Sequence, residues 1–100
     1  MSSPLTATLV DDDTPMTLAE LARACRAAEE QVQVWVVEGV LQPSGQSPRE
    51  WRFAGAALRR AKLAVTLTRD LEINAPGVAF ALDLMDEIEA LKTSLLRRGG

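Results

Sequence analysis

Apolar residues along this chain recur at helical spacing in several stretches that are separated by short breaks. The first stretch follows Thr17 and Glu20, whose spacing is that of a capping box, a reciprocal pair of hydrogen bonds that starts a helix. Its apolar stripe consists of Leu18, Leu21, Ala22 and Cys25. A second stretch runs from about residue 28 to residue 38 and is followed by Gly39, a residue type that commonly ends helices. Two helices this close together predict a helix-turn-helix.

Short strands are predicted beside these helices. Residues 40–42 and 51–53 are expected to form two strands around a turn that contains two prolines and a glycine. A hairpin at this place is the layout of a winged helix, so we expect a winged helix-turn-helix over residues 17–53. Residues 5–10 alternate apolar and polar side chains, which predicts a further strand near the N-terminus.

Two further helices complete the predicted architecture. The third is expected over residues 54–71 and the last over residues 76–98, where Pro76 stands at the first helical position and its missing N–H costs nothing. At 100 residues the chain is too short for two ordinary domains. The sequence therefore predicts one domain over residues 1–100, mainly α with a small β hairpin or sheet and a long C-terminal helix.

The last helix has an apolar seam whose spacing alternates between three and four residues, which is typical of a coiled coil over about two heptads. The seam consists of Ala81, Leu84, Ile88, Leu91 and Leu95. A second apolar row, formed by Val78, Leu82 and Met85, is expected to pack on the core of the same chain. The seam is then left for a second copy, which predicts a homodimer. The alternative is a single wide core face in a monomer.

The amino-acid composition excludes many kinds of catalytic and metal-binding site. The chain has no histidine and one cysteine, so histidine-based catalytic triads, histidine metal sites and intrachain disulfides are excluded. No phosphate-binding loop, nucleophile elbow or dinucleotide fingerprint is present in the sequence. We therefore expect no enzyme activity, no cofactor and no metal. The sequence also has no apolar run of about 18 residues and no signal peptide, so we expect a cytoplasmic protein without membrane contact.

The predicted helix-turn-helix suggests DNA binding, but for that role its second helix offers only Gln31 and Gln33, two isolated glutamines that are weak evidence. A recognition helix normally presents Arg, Lys, Asn or Gln to bases and phosphates. Residues 29–38 contain three glutamates and no Lys or Arg, and glutamates repel phosphates. Positive charge lies instead in residues 51–70, with a net charge of +4, between −5 in residues 1–50 and −2 in residues 71–100. DNA is therefore not the expected partner.

Several segments of the chain resemble the CbpM chaperone modulator family. The strongest resemblance is at residues 75–88, with the sequence APGVAFALDLMDEI, which is followed by a Leu-Lys pair. Residues 39–43 and 51–53 also fall at matching positions, so the resemblance covers about residues 17–92. The predicted N-terminal strand and the acidic loop after it fit less well.

The resemblance implies a MerR-like helix-turn-helix that has been turned to protein binding. It implies a regulator that binds the J-domain of CbpA, a DnaJ-like co-chaperone, blocks its stimulation of the DnaK-type chaperone and restrains its DNA binding. Through this partner the protein would be associated with the nucleoid. DNA-binding MerR regulators typically carry an arginine soon after the proline that opens the wing, whereas here the nearest arginine after Pro43 is Arg49. The alternative is a MerR-like transcription regulator that uses the basic third helix with Arg49 and Arg52.

The resemblance also implies the chemistry of the partner, because J-domains contact their chaperone through a basic helix. An acidic inhibitor can cover that helix by charge complementarity, with apolar contacts to hold the complex. The candidate partner-binding residues on the second helix are Glu29, Glu30, Val34 and Glu38. Those on the last helix are Asp83, Asp86 and Glu87. The sequence does not decide between the two surfaces.

Overall fold

The computed structural model describes residues 14–99, which form an almost entirely helical fold. The helices in these residues are α1 (Leu18–Cys25), α2 (Glu29–Val37), α3 (Gly55–Asp70) and α4 (Ala75–Gly99). They lie where the sequence predicts them, and the predicted ends of α2, α3 and α4 differ from the observed ends by one residue. The strand predicted at residues 5–10 lies outside the described residues.

Local hydrogen bonds start two of the helices. At α1 the Glu20 amide donates to Thr17 Oγ1 at 3.1 Å and the Thr17 amide donates to Glu20 Oε1 at 2.8 Å, so the predicted capping box is confirmed. At α4 the Gly77 amide donates to Asn74 Oδ1 at 2.9 Å. The helix therefore begins one residue before Pro76, and the prediction that Pro76 is its first residue is wrong. Proline costs no hydrogen bond there either, because the first amides of a helix have no intrahelical partner.

Extended pairing in residues 14–99 is limited to two isolated antiparallel bridges. Ser44 and Arg52 exchange two backbone hydrogen bonds of 3.0 Å, and Met16 and Phe53 exchange two of 2.8 Å. The first bridge closes the loop between α2 and α3, and the second ties the segment before α1 to the segment before α3. The predicted hairpin therefore amounts to a single bridge.

The strand predicted at residues 40–42 is wrong because two of its amides finish a helix instead. Gly39 follows α2 with a φ of 84°, a left-handed conformation that glycine adopts without strain. The amides of Val40 and Leu41 then donate to the Trp35 carbonyl at 2.8 and 3.4 Å. An amide that satisfies a helix end cannot also pair in a strand ladder. The side chains of both residues are buried in the core.

All four helices contribute to one apolar core. Its largest fully buried side chains are Trp35, Phe53, Leu21, Leu41, Leu82, Val32, Val40 and Val78. Burying each such side chain contributes about 1.5–3 kcal/mol, so packing rather than strand pairing holds the segments together. The helix α4 contributes only its beginning to this core, because Val78 and Leu82 are buried and every residue from 83 to 99 is exposed. Most of α4 therefore projects from the body.

Candidate protein-binding surface

The projecting part of α4 carries an exposed apolar seam. Ala81 at its base is half-buried, while Leu84, Ile88, Leu91 and Leu95 are 48–66% exposed. Residues three and four apart on a helix share a face, so these side chains form one stripe. The described residues 14–99 do not bury this stripe in a core face of their own. Contiguous exposed apolar surface of this kind is a candidate interaction site.

The second apolar row of α4 is buried only at its start. Val78 and Leu82 have almost no exposed surface, as predicted, whereas Met85 is 44% exposed. The prediction that Met85 packs on the core of its own chain is wrong, because α4 passes the edge of the body after Leu82. Phe80 is 67% exposed and was missed by the sequence pattern, since it belongs to neither of the two predicted rows.

The three predicted acids of α4 lie together. Asp83, Asp86 and Glu87 line one surface depression. Two of them already have an intramolecular partner, because Arg60 of α3 donates from Nη2 to Asp83 Oδ1 at 3.2 Å and from Nη1 to Asp86 Oδ2 at 2.7 Å. The side chains of the two aspartates remain 73% and 64% exposed, against 24% for Arg60. No local sequence pattern connects Arg60 with these acids, because 23 and 26 positions separate them along the chain.

Arg60 also contacts the end of α2, because its Nε donates to the Val40 carbonyl at 2.5 Å. It thereby joins α2, α3 and α4 at one point. A groove of about 320 Å³ opens beside it, lined by the turn at residues 39–42, by alanines at the start of α3, and by Asp83 and Asp86. The groove combines the carboxylates of Asp83 and Asp86 with apolar walls, a combination that suits a long basic side chain with an aliphatic stem.

The candidate residues of α2 are exposed but do not form one patch. Glu29 and Glu30 lie in the first turn and Glu38 follows the last residue, so at 1.5 Å per residue the two ends are about 14 Å apart. Val34 is exposed between them. Glu38 precedes Gly39, which lines the groove beside the α4 acids. The two predicted surfaces therefore come near each other at the C-terminal end of α2.

Cys25 belongs to the core and not to the candidate surface. Its side chain is buried and Sγ lies 3.7 Å from the Ala22 carbonyl oxygen, to which it donates. Burial raises the pKa of the Cys25 thiol, and a thiol that stays protonated is a poor nucleophile and metal ligand. Within residues 14–99 no group of three or more cysteines and carboxylates could hold a metal ion. No helix in that part of the chain is long and apolar enough to cross a membrane.

Several arginines that a DNA-binding surface would need have partners within the chain. Arg52 Nη1 donates to the Trp51 carbonyl at 2.7 Å, and Arg69 Nη2 donates to the Arg26 carbonyl. Arg60 faces two carboxylates, which neutralise its charge locally. Of these three arginines, only Arg60 has its charge offset by carboxylates, whereas Arg52 and Arg69 keep theirs.

Comparison with known proteins assigns this helical fold to a family. A family model described as "MerR HTH family regulatory protein" matches residues 16–97, which is nearly all of the described chain. The chain is thus a member of the MerR HTH regulatory class. The relatives narrow the assignment further, since the Chaperone modulatory protein CbpM of Coxiella burnetii (strain Dugway 5J108-111) is 40% identical over 87 residues, covering 87% of this chain and 82% of the relative. The chain belongs to the CbpM family.

Two Pseudomonas relatives carry the same name and match a shorter part of the chain. The Chaperone modulatory protein CbpM of Pseudomonas entomophila (strain L48) is 41% identical over 63 residues, covering 59% of this chain and 62% of the relative. The Chaperone modulatory protein CbpM of Pseudomonas putida (strain W619) is 40% identical over 58 residues, covering 58% of this chain and 57% of the relative. The resemblance noted in the sequence is therefore confirmed at the level of the family.

Proposed function

We propose that this protein is a non-enzymatic chaperone modulator that binds the J-domain of a CbpA-type, DnaJ-like co-chaperone and blocks its action on the DnaK-type chaperone. A modulator role is supported by the relatives, which are named chaperone modulatory proteins. The observation that carries the J-domain proposal is the projecting helix α4, where three carboxylates lie together next to a groove and an exposed apolar seam.

Charged and apolar groups have different roles in such a complex. The carboxylates of Asp83, Asp86 and Glu87 attract a basic helix, which raises the rate of encounter and makes binding depend on salt. The alanine walls of the groove, including Ala56 and Ala57, supply apolar contact that slows dissociation. A J-domain whose basic helix is covered in this way cannot present the same helix to its chaperone. Inhibition then follows from occupancy alone.

We further propose that the α4 seam joins two copies into a homodimer. The acids of projecting α4 fall in residues 83–89 and its bases in residues 92–98. With the seam residues at positions a and d, Glu87 and Lys92 fall at the flanking positions g and e, where opposite charges can pair between the two copies. At 100° per residue, Asp83 and Asp86 lie on a different side of α4 from the seam, whereas Glu87 borders it, so dimerisation leaves the two aspartates free for a partner.

DNA binding as a MerR-like transcription regulator is the second candidate function. It is favoured by the family match and by the loop between α2 and α3, which the Ser44–Arg52 bridge closes and which would act as the wing of a winged helix-turn-helix. We rank it second because α2, the helix that would enter the major groove, has Glu29, Glu30 and Val34 exposed and contains no basic residue. The proposed location is the cytoplasm, with nucleoid association through the co-chaperone.

Calorimetric titration of the protein with the J-domain of a CbpA-type co-chaperone from the same organism tests the proposed function. The triple replacement Asp83→Lys, Asp86→Lys and Glu87→Lys should weaken binding and flatten its salt dependence. The matched replacement Glu29→Lys with Glu30→Lys reverses charge on α2 instead. If only the α2 variant weakens binding, α4 is the wrong surface.

A duplex DNA titration separates the two candidate functions. Absence of J-domain binding, together with sequence-selective DNA binding that survives physiological salt, would favour the second candidate.

A further inference from the structure

The contact made by Arg60 lies on the surface that the proposed function assigns to the partner. Asp83 and Asp86 each accept a hydrogen bond from one terminal nitrogen of this arginine. We propose that Arg60 is a built-in competitor, which occupies the two carboxylates in the free protein and which the basic helix of the J-domain displaces on binding. This inference rests on the proposed function and adds a means of regulating the same site.

Arg60 is held in the fold by a contact that is separate from its contacts with Asp83 and Asp86. Its Nε donates to the Val40 carbonyl, and Val40 is fixed because its amide caps α2 and its side chain is buried. The Arg60 side chain is mostly buried, whereas the carboxylates it meets face solvent. The terminal nitrogens can therefore release both acids while Nε keeps its bond to the backbone.

The exposure of the acids also sets how strong the competition is. Ion pairs whose carboxylates are exposed contribute little, because water screens them and the side chains lose freedom. A partner thus loses only a modest part of its affinity by displacing Arg60, about twofold to fivefold. A partner that offers a single cation gains little from the exchange. A helix with several cations gains more, since Glu87 lines the same depression as the two aspartates and its carboxylate can receive a further cation. Competition of this kind raises selectivity for strongly basic partners.

Binding of the J-domain to the variant Arg60→Gln tests the proposal. Loss of the competitor should raise affinity about twofold to fivefold and steepen the salt dependence. Lys62→Gln is the matched control, because Lys62 is exposed on the same helix and the replacement removes the same charge. Lys62→Gln should raise the affinity for the J-domain less than Arg60→Gln does. In a protein that also carries Asp83→Asn and Asp86→Asn, Arg60→Gln should raise affinity no more than Lys62→Gln does.

Opposite results would identify a different role for Arg60. If Arg60→Gln lowers affinity in every background, or changes it no more than Lys62→Gln does, Arg60 is no competitor and serves to position α4. Arg60→Lys keeps the charge but loses the forked contact with both carboxylates, so its affinity for the J-domain should lie between those of the wild-type protein and Arg60→Gln. An affinity of Arg60→Lys below that of the wild-type protein would also overturn the proposal. If the wild-type protein and all variants fail to bind the J-domain, the proposed function itself is wrong.

Discussion

Replacement of Leu91 by aspartate tests whether the α4 seam joins two copies. Leu91 is 60% exposed in the single copy, so a dimer can still bury most of its surface. Full burial of a leucine contributes about 1.5–3 kcal/mol, and 60% of that is about 0.9–1.8 kcal/mol per copy. A twofold dimer contains the residue twice, so the replacement removes about 2–4 kcal/mol, which weakens dimerisation about 30-fold to 1000-fold. Bringing two carboxylates into the interface adds a desolvation cost in the same direction.

Sedimentation equilibrium over a range of concentrations measures this effect. Wild-type protein should be dimeric, and Leu91→Asp should be monomeric at the same concentrations. Leu96→Asp is the matched control, because Leu96 is 78% exposed on the same helix but lies outside the seam. The melting temperature of Leu91→Asp at low concentration should match that of the wild-type monomer, since Leu91 is not part of the core. Equal dimerisation of the two aspartate variants, or a wild-type protein that stays monomeric, would refute the proposed seam.

Three further predictions concern stability. In urea titrations, Leu82→Ala should lower the free energy of unfolding by about 2–5 kcal/mol, and Met85→Ala should lower it by clearly less, because Leu82 is buried and Met85 is not. Equal losses for the two variants would contradict the view that α4 leaves the core between these residues. Thr17→Ala should cost about 0.5–2 kcal/mol through loss of the capping box, and an unchanged urea midpoint would show that the box contributes nothing. Because burial raises the pKa of the Cys25 thiol, the unfolded chain ionises first, so stability should fall as pH rises above about 8.5. Urea titrations between neutral pH and about pH 10 should show that Cys25→Ala lessens this fall; an identical slope would contradict the assignment.

The features that the sequence determined by itself are those that depend on residues close together in the chain. The capping box joins Thr17 and Glu20, three positions apart, and the helices follow from apolar residues three or four positions apart. The seam on α4 belongs to the same class of pattern. The lack of histidine is a property of composition and limits the chemistry whatever the fold. Local spacing is enough in these cases because the interacting groups lie within about one helical turn.

Only the tertiary structure decided which residues are exposed, which are buried and which have a partner within the chain. Arg60 meets Asp83 and Asp86 across 23 and 26 positions, and no local pattern connects them. The segment 40–42 has a strand-like sequence, yet its amides finish α2 and its apolar side chains enter the core. Met85 continues an apolar row that the body no longer covers. Each outcome depends on how distant segments pack around one core, and that packing places the acids of α4 on an exposed helix while giving two of them an arginine partner.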